Sequence, residues 1–579
     1  MKDAPPAGVY VAGGLALGAA AAVAYWQHYN DNVAAPPRLW LADGPLRERV
    51  LPHCSALLRP FAPTPWAANR HAQTVLGSLR TLTMRNRYNR QLILTVDGAT
   101  LGLDWFDGCD GADFPAPPSA PVLLVCHGIN GGSHEGYAKW VCAAALARGW
   151  RAAVLNYRGC NGLPFTAPRG YAATMSHDVF TAVYSVKARY PSAPLVAVGY
   201  SLGGLKLTKY VAEADAGLHP PPPGRPPLFS GSGLAAAAVV SSPVSLGLSA
   251  ARLSDPTSLS FLYNLAVAYK MREHIAQHRQ DITARSRFDV EAALAAWTVA
   301  GIEERGLPAS LGFADRQQYY EASSSLDYIP AITTPTLILL AEDDPFLGLI
   351  PDVECSRNPS TLLALTRRGG HVAFLQGAWP LGKSYMDDAV MEFFGATLEH
   401  LHGINTHQQQ QQQGPQGPEQ QQQGQQQQGQ QQGVGKAGGG GGGGAAAAPE
   451  EAARAEAWPV TDAARAGVRA AARAAAGPGA VAGRPPCEER CCGGGGRDDG
   501  HEHQHCAGDG PAMAAGRTGA GDGGGHAHAG AQAAVGGVGG QLRLLVQLQQ
   551  QLEQRRRERA AAAAAAEAGA PAAAPRSRL

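Results

Sequence analysis

The pentapeptide Gly199-Tyr200-Ser201-Leu202-Gly203 stands between the apolar run Leu195-Val196-Ala197-Val198 and a helix-compatible stretch over 202–214. Strand, sharp turn and helix in that order hold a serine hydroxyl clear of the backbone at the carboxyl edge of a sheet. Small residues two before and two after the serine relieve the crowding such a turn creates. Ser201 is therefore the candidate nucleophile. The pattern alone is loose in a chain with 72 glycines among 579 residues, so its strand-to-helix setting is what gives it weight.

Composition divides the chain. Over 408–432 nearly every residue is glutamine with interspersed glycine, and a glycine run over 438–444 leads into long Ala/Gly/Arg stretches. Such sequence cannot bury enough apolar surface to offset its ordering entropy, so 403–579 is expected to be a low-complexity, mostly disordered tail. Residues 60–402 remain for one large α/β domain with an insertion. The 48 Lys and Arg against 47 Asp and Glu give a net charge of +1, which argues against nucleic acid as a partner. The cysteines before the tail (54, 109, 126, 142, 160 and 355) show no disulfide-framework spacing, which suits a reducing, cytosol-facing domain. An uncharged run over 7–26, with Tyr10, Tyr25 and Trp26 near its ends, has the length of one membrane-spanning helix. Segment 1–30 is expected to be an N-terminal membrane anchor; Lys2 and Asp3 cancel, so its orientation is not readable.

Between anchor and tail, 92–96, the turn pair Asp97-Gly98 and 100–106 read as a β-hairpin. Continuous apolar runs at 122–126, 152–155, 195–198, 234–240, 336–340 and 362–365 read as buried parallel strands, with helices over 137–148 and 177–190. Strands alternating with helices of this length imply a mostly parallel central sheet with helices on both faces. The alternation lapses over 243–328, which predicts a helical cap over the carboxyl edge of the sheet. The proline-rich stretch 220–227 reads as a surface loop.

A serine hydroxyl at its ordinary pKa needs a base and a group to orient that base. Asp344 follows the strand at 336–340 and His371 follows 362–365, so both fall at carboxyl ends of strands, in the order Ser, Asp, His. Asp343 is the competing acid; Asp344 is preferred because the loop begins at Pro345. Acyl transfer also needs donors aimed at the developing oxyanion. The Leu202 amide opens the helix after the nucleophile, and Ile129 in His127-Gly128-Ile129-Asn130-Gly131-Gly132-Ser133 is the second choice. A phosphate-cradling role for that glycine-rich loop lacks the Gly-Lys-Ser/Thr it would require.

Taken with Asn156-Tyr157-Arg158-Gly159-Cys160, Gly199 to Gly204, Ala341-Glu342-Asp343-Asp344-Pro345, Gly369-Gly370-His371 and the entry motif Pro65-Trp66-Ala67-Ala68-Asn69-Arg70-His71-Ala72-Gln73-Thr74, this loop resembles the YheT-type branch of the α/β-hydrolase fold. That branch includes bacterial YheT, plant embryogenesis-associated hydrolases, fungal medium-chain ester synthase/esterases and animal membrane-anchored phospholipases. The resemblance spans about residues 60 to 400 and implies an α/β-hydrolase fold and carboxylic ester hydrolysis on acyl lipids. It implies Ser201, Asp344 and His371 as triad, needs no metal or organic cofactor, and supports the anchor. An alcohol or lysolipid acyltransferase with the same triad, and a catalytically idle scaffold, are the alternatives. The 220–227 extension and the tail depart from the family. In that tail, Cys487, Cys491, Cys492, His501, His503, His505 and Cys506 have residue types that bind zinc, and Leu545, Leu548 and Leu552 have helical spacing; neither is enough to build a domain.

Overall fold

The computed structural model describes residues 7–109 and 116–404; the zinc-type cluster and the leucine repeat of the tail lie outside the described residues. Its centre is a nine-stranded sheet of β1 (Arg38–Trp40), β2 (Asn86–Leu94), β3 (Thr100–Cys109), β4 (Val122–Cys126), β5 (Arg151–Asn156), β6 (Leu195–Tyr200), β7 (Ala236–Val240), β8 (Thr336–Ala341) and β9 (Thr361–Thr366). The spatial order is β1-β9-β8-β7-β6-β4-β5-β3-β2. From β9 to β5 every neighbouring pair is parallel, and the β2–β3 hairpin and β1 add antiparallel edges. The mixed but mostly parallel architecture is the one the alternation of apolar runs predicts.

The β-branched and aliphatic runs are buried throughout because both faces of the sheet are covered. Leu123, Val125, Val196 and Val198 pack on one face with Val141 and Phe393, which lie on the helices Gly136–Leu146 and Tyr385–His400. Val122, Leu124, Leu195 and Ala197 face the other way, against Val183 and Val211 of the helices His177–Arg189 and Leu202–Asp215. Between β7 and β8 the chain forms a cap of seven helices, from Leu246–Leu253 to Arg316–Ser323. That cap stands where the lapse in alternation puts it.

Two stretches differ from expectation. Residues 33–59, unassigned in the sequence reading, supply β1 and bury Leu41, Leu46, Val50, Cys54 and Leu57 in the core. A three-residue strand has no period to read, and its pairing with β9 is a property of the tertiary fold alone. At the other, a 22-residue helix does form over Ala7–His28, yet among the described residues no helix is long and apolar enough to cross a membrane. The membrane anchor expected over 1–30 is therefore left without support among the described residues. The end of the helix docks, with the Tyr25 hydroxyl donating to the Pro65 carbonyl and the buried Tyr29 hydroxyl to that of Pro63.

Candidate active site

Ser201 sits at φ 53°, ψ −121° between β6 and the helix Leu202–Asp215, a conformation tolerated here because its flanks are small. A Cβ on Gly199 would come within 2.5 Å of the Gly203 carbonyl oxygen, and one on Gly203 within 2.3 Å of that of Cys126. Gly203 therefore lets the turn close against β4, and Gly199 lets the first turn of the helix pack against β6.

The Ser201 hydroxyl lies 3.0 Å from His371 Nε2. On the other side of the ring, His371 Nδ1 lies 2.9 Å from Asp344 Oδ2 and 3.1 Å from Oδ1. The tautomer these contacts call for has Nδ1–H donating to the carboxylate and Nε2 free to accept the serine proton. Asp344 Oδ1 also accepts the Phe346 N–H at 2.7 Å, and the Phe346 ring stacks on His371 with centroids 4.0 Å apart. Asp343 does not reach the imidazole. Its Oδ1 accepts the Gly370 N–H at 3.0 Å, and burial pushes its pKa up to about 6 against the opposing pull of that bond and of Arg368. The two adjacent acids thus divide the work: Asp344 holds the ring, Asp343 holds the loop that carries it.

The entry motif helps to pin that loop. Asn69 caps the helix Arg70–Leu79 by accepting the Ala72 N–H at 2.9 Å. From that helix Thr74 Oγ1 accepts the His371 N–H at 3.0 Å and Gln73 Oε1 accepts the Leu375 N–H at 2.7 Å.

The loop after β4 abuts the nucleophile: a Cβ on Gly128 would lie 3.4 Å from Ser201 Cβ. The Gly128 N–H donates to the Tyr137 hydroxyl at 3.0 Å and the Asn130 N–H to the Tyr171 hydroxyl at 2.9 Å. The Ile129 N–H between them takes no acceptor among the described residues, and the Leu202 N–H opens a helix whose first turn offers none. Buried His127 sets the orientation of this loop. Its Nδ1–H donates to the Gly128 carbonyl at 2.7 Å, and Nε2 accepts the Tyr157 N–H at 3.3 Å. Because a peptide is planar and trans, fixing the Gly128 carbonyl turns the Ile129 N–H the opposite way. Burial drives the His127 pKa down to about 3, so the ring stays neutral and can keep both bonds. Sequence reading placed His127 in a motif but gave it no role; the signal was its position directly before the glycine of the loop.

Ser201, Leu202 and Ile129 line one cavity of about 190 Å³ under the cap, walled by Leu246, Leu253, Val267, Met271 and Ile275. Among the described residues no group of three or more His, Cys, Asp or Glu side chains is placed to hold a metal ion.

A family model for the α/β-hydrolase fold matches residues 121–378, the span that carries the elbow, both acids and the histidine. The chain has the α/β-hydrolase fold. Phospholipase ABHD3 of Mus musculus is 28% identical over 394 residues, covering 68% of this chain and 92% of the relative. Embryogenesis-associated protein EMB8 of Picea glauca is 29% identical over 346 residues, covering 58% and 73%. Monoacylglycerol lipase ABHD2 of Homo sapiens is 27% identical over 413 residues, covering 66% and 91%. These relatives agree with the YheT-type branch of α/β-hydrolases that the motifs indicate.

Proposed function

We propose that this α/β-hydrolase is a serine esterase that cleaves carboxylic esters of acyl lipids. The observation that carries the reading is the hydrogen-bonded line from Ser201 through His371 to Asp344 at the mouth of an apolar cavity. Names such as phospholipase and monoacylglycerol lipase among the relatives support a lipid substrate.

In this mechanism Ser201 Oγ attacks the ester carbonyl carbon while His371 Nε2 takes the hydroxyl proton. Asp344 holds the ring and offsets the charge of the imidazolium. The Ile129 and Leu202 amides donate to the oxyanion of the tetrahedral intermediate. Collapse expels the alcohol, protonated by His371, and leaves an acyl-serine. Water then attacks that acyl carbon with His371 again as base, releasing the fatty acid and restoring the serine. Exposed Leu15, Leu17 and Trp26 on the N-terminal helix support peripheral contact with a lipid surface as the route by which substrate is met.

A fluorophosphonate probe offered to the full-length protein tests the nucleophile. It should form one adduct, on the tryptic peptide containing Ser201, and none on Ser201→Ala. An adduct of unchanged yield on that variant would remove Ser201 from the role.

A further inference from the structure

Burying a carboxyl in an apolar setting is costly unless its oxygens are satisfied. Glu303, on the cap helix Val299–Glu304, is only 6% exposed and is the one acid lining the cavity beside Ser201 among the described residues. The Tyr320 hydroxyl donates to its Oε2. Its Oε1 takes no protein donor and is not sealed away, which leaves it open to the cavity.

The nearby positive charge is already engaged elsewhere. Arg316 pairs with Glu304 at 2.7 Å and stacks over Tyr320 with its guanidinium carbon 5.6 Å from the ring centroid. Three other polar side chains on the cavity wall are committed, whereas the buried Asn130 side-chain nitrogen, a donor, takes no acceptor among the described residues. Ser249 donates to the Phe346 carbonyl, Ser310 to that of Leu307, and Asn264 both donates to Leu253 and accepts from Val299. An acceptor left unspent on a mostly apolar wall is the usual form of a specificity contact.

We propose that Glu303 is the specificity-determining residue of this cavity, accepting a hydrogen bond from a hydroxyl on the alcohol part of an acyl-lipid substrate. The inference rests on the esterase reading above. In an acyl lipid the hydrocarbon chain carries no donor, so the donor that meets Glu303 belongs to the alcohol, as in a partial glyceride. Burial supports this use of the group: it pushes the Glu303 pKa up to about 7, against the pull of the Tyr320 hydrogen bond and of Arg316, with Glu304 adding to the rise. The carboxyl is thus the stronger, ionised acceptor above neutrality and the weaker, protonated one below it. Tyr319 and Tyr320 beside it stay protonated over that range, and His274 on the same wall, its pKa lowered to about 4 by burial, stays neutral.

The test uses the full-length protein and two esters of one fatty acid, the glycerol 1-monoester and the propyl ester. The ratio of their kcat/KM values is measured for the wild type, Glu303→Gln and Glu303→Leu between pH 6 and pH 8.5. The wild type should favour the glyceryl ester by about 10- to 100-fold, the worth of a hydrogen bond to a charged acceptor. The ratio should rise through neutrality, stay flat and smaller in Glu303→Gln, and fall to near one in Glu303→Leu. A wild-type ratio near one, or a preference kept intact by Glu303→Leu, overturns the proposal even though serine-dependent turnover of both esters stands. Turnover that survives Ser201→Ala sinks the esterase reading and this inference with it.

Discussion

Asp343 and Asp344 are neighbours in sequence with one chemistry and two environments. Asp344 accepts from His371 Nδ1, so Asp344→Asn forces the ring towards the wrong tautomer and should lower kcat by about 10³- to 10⁴-fold. Asp343→Asn keeps an oxygen for the Gly370 N–H and should cost about tenfold or less by steady-state kinetics. An equal loss in the two variants would contradict this division. His127→Phe removes the bond that fixes the Gly128 carbonyl, and a misdirected oxyanion donor should lower kcat by about 10²-fold with KM little changed. Ser201, His371 and Asp344, the proposed nucleophile, base and acid, are legible in the sequence because each follows a readable strand. The sequence does not show that His127 orients a peptide, or that Glu303 opens into the cavity. Those roles depend on which atoms meet across the cap and the sheet, and no local period encodes that.

The segments that buttress the site are short loops tied by buried charges. The motif Asn156-Tyr157-Arg158-Gly159-Cys160 leaves β5 and holds the neighbouring elements. Asn156 Oδ1 accepts the Ser133 N–H at 3.1 Å, and the Tyr157 ring lies 4.2 Å from that of His127. Arg158 reaches Asp178 at 2.7 Å and Asp97 at 2.8 Å, while Lys206 reaches Asp178 at 3.3 Å and lies 3.6 Å from the Tyr157 ring centroid. Asp178 therefore joins two helices to the loop after β5 and, through Arg158, to the turn of the β2–β3 hairpin. Asp178→Asn leaves two buried cations short of charge and should cost about 3–5 kcal/mol in urea unfolding. At the elbow, Gly203→Ala drives a methyl to 2.3 Å from the Cys126 carbonyl oxygen. It should lose about 3 kcal/mol or more, or fail to fold. The helices and parallel strands were legible because their apolar residues run continuously or with helical spacing; β1 was not, because its three residues owe their pairing to β9.

Across the whole molecule, the perturbed carboxyls set how stability responds to pH. Asp343 and Glu303 have folded pKa values raised to about 6 and about 7. The unfolded chain gives up those protons first, so the stability these two acids contribute falls as pH rises from the ordinary carboxylate range to neutrality. Asp97 behaves in the opposite sense. Burial pushes it up, but Arg158 outweighs that and holds it at about 2, so its contribution is present above the ordinary range and is lost as pH falls towards 2. Buried His127 and His274, with pKa values lowered to about 3 and about 4, act in the opposite sense to the two raised acids, so Glu303 is read from the difference between variants: Glu303→Gln should gain in melting temperature relative to the wild type as pH rises from 5 to 8. A difference between the two proteins that stays constant from pH 5 to pH 8 would speak against the buried state of Glu303. The same fold that burdens itself with those acids encloses the cavity between the cap and the elbow, where an ester would react. Release of fatty acid from a 1-monoacylglycerol by the full-length wild type and Ser201→Ala tests that reaction most directly. Turnover by the wild type that falls by about 10³-fold or more in the variant is expected. No release by the folded wild type, or equal release by both, contradicts the assignment.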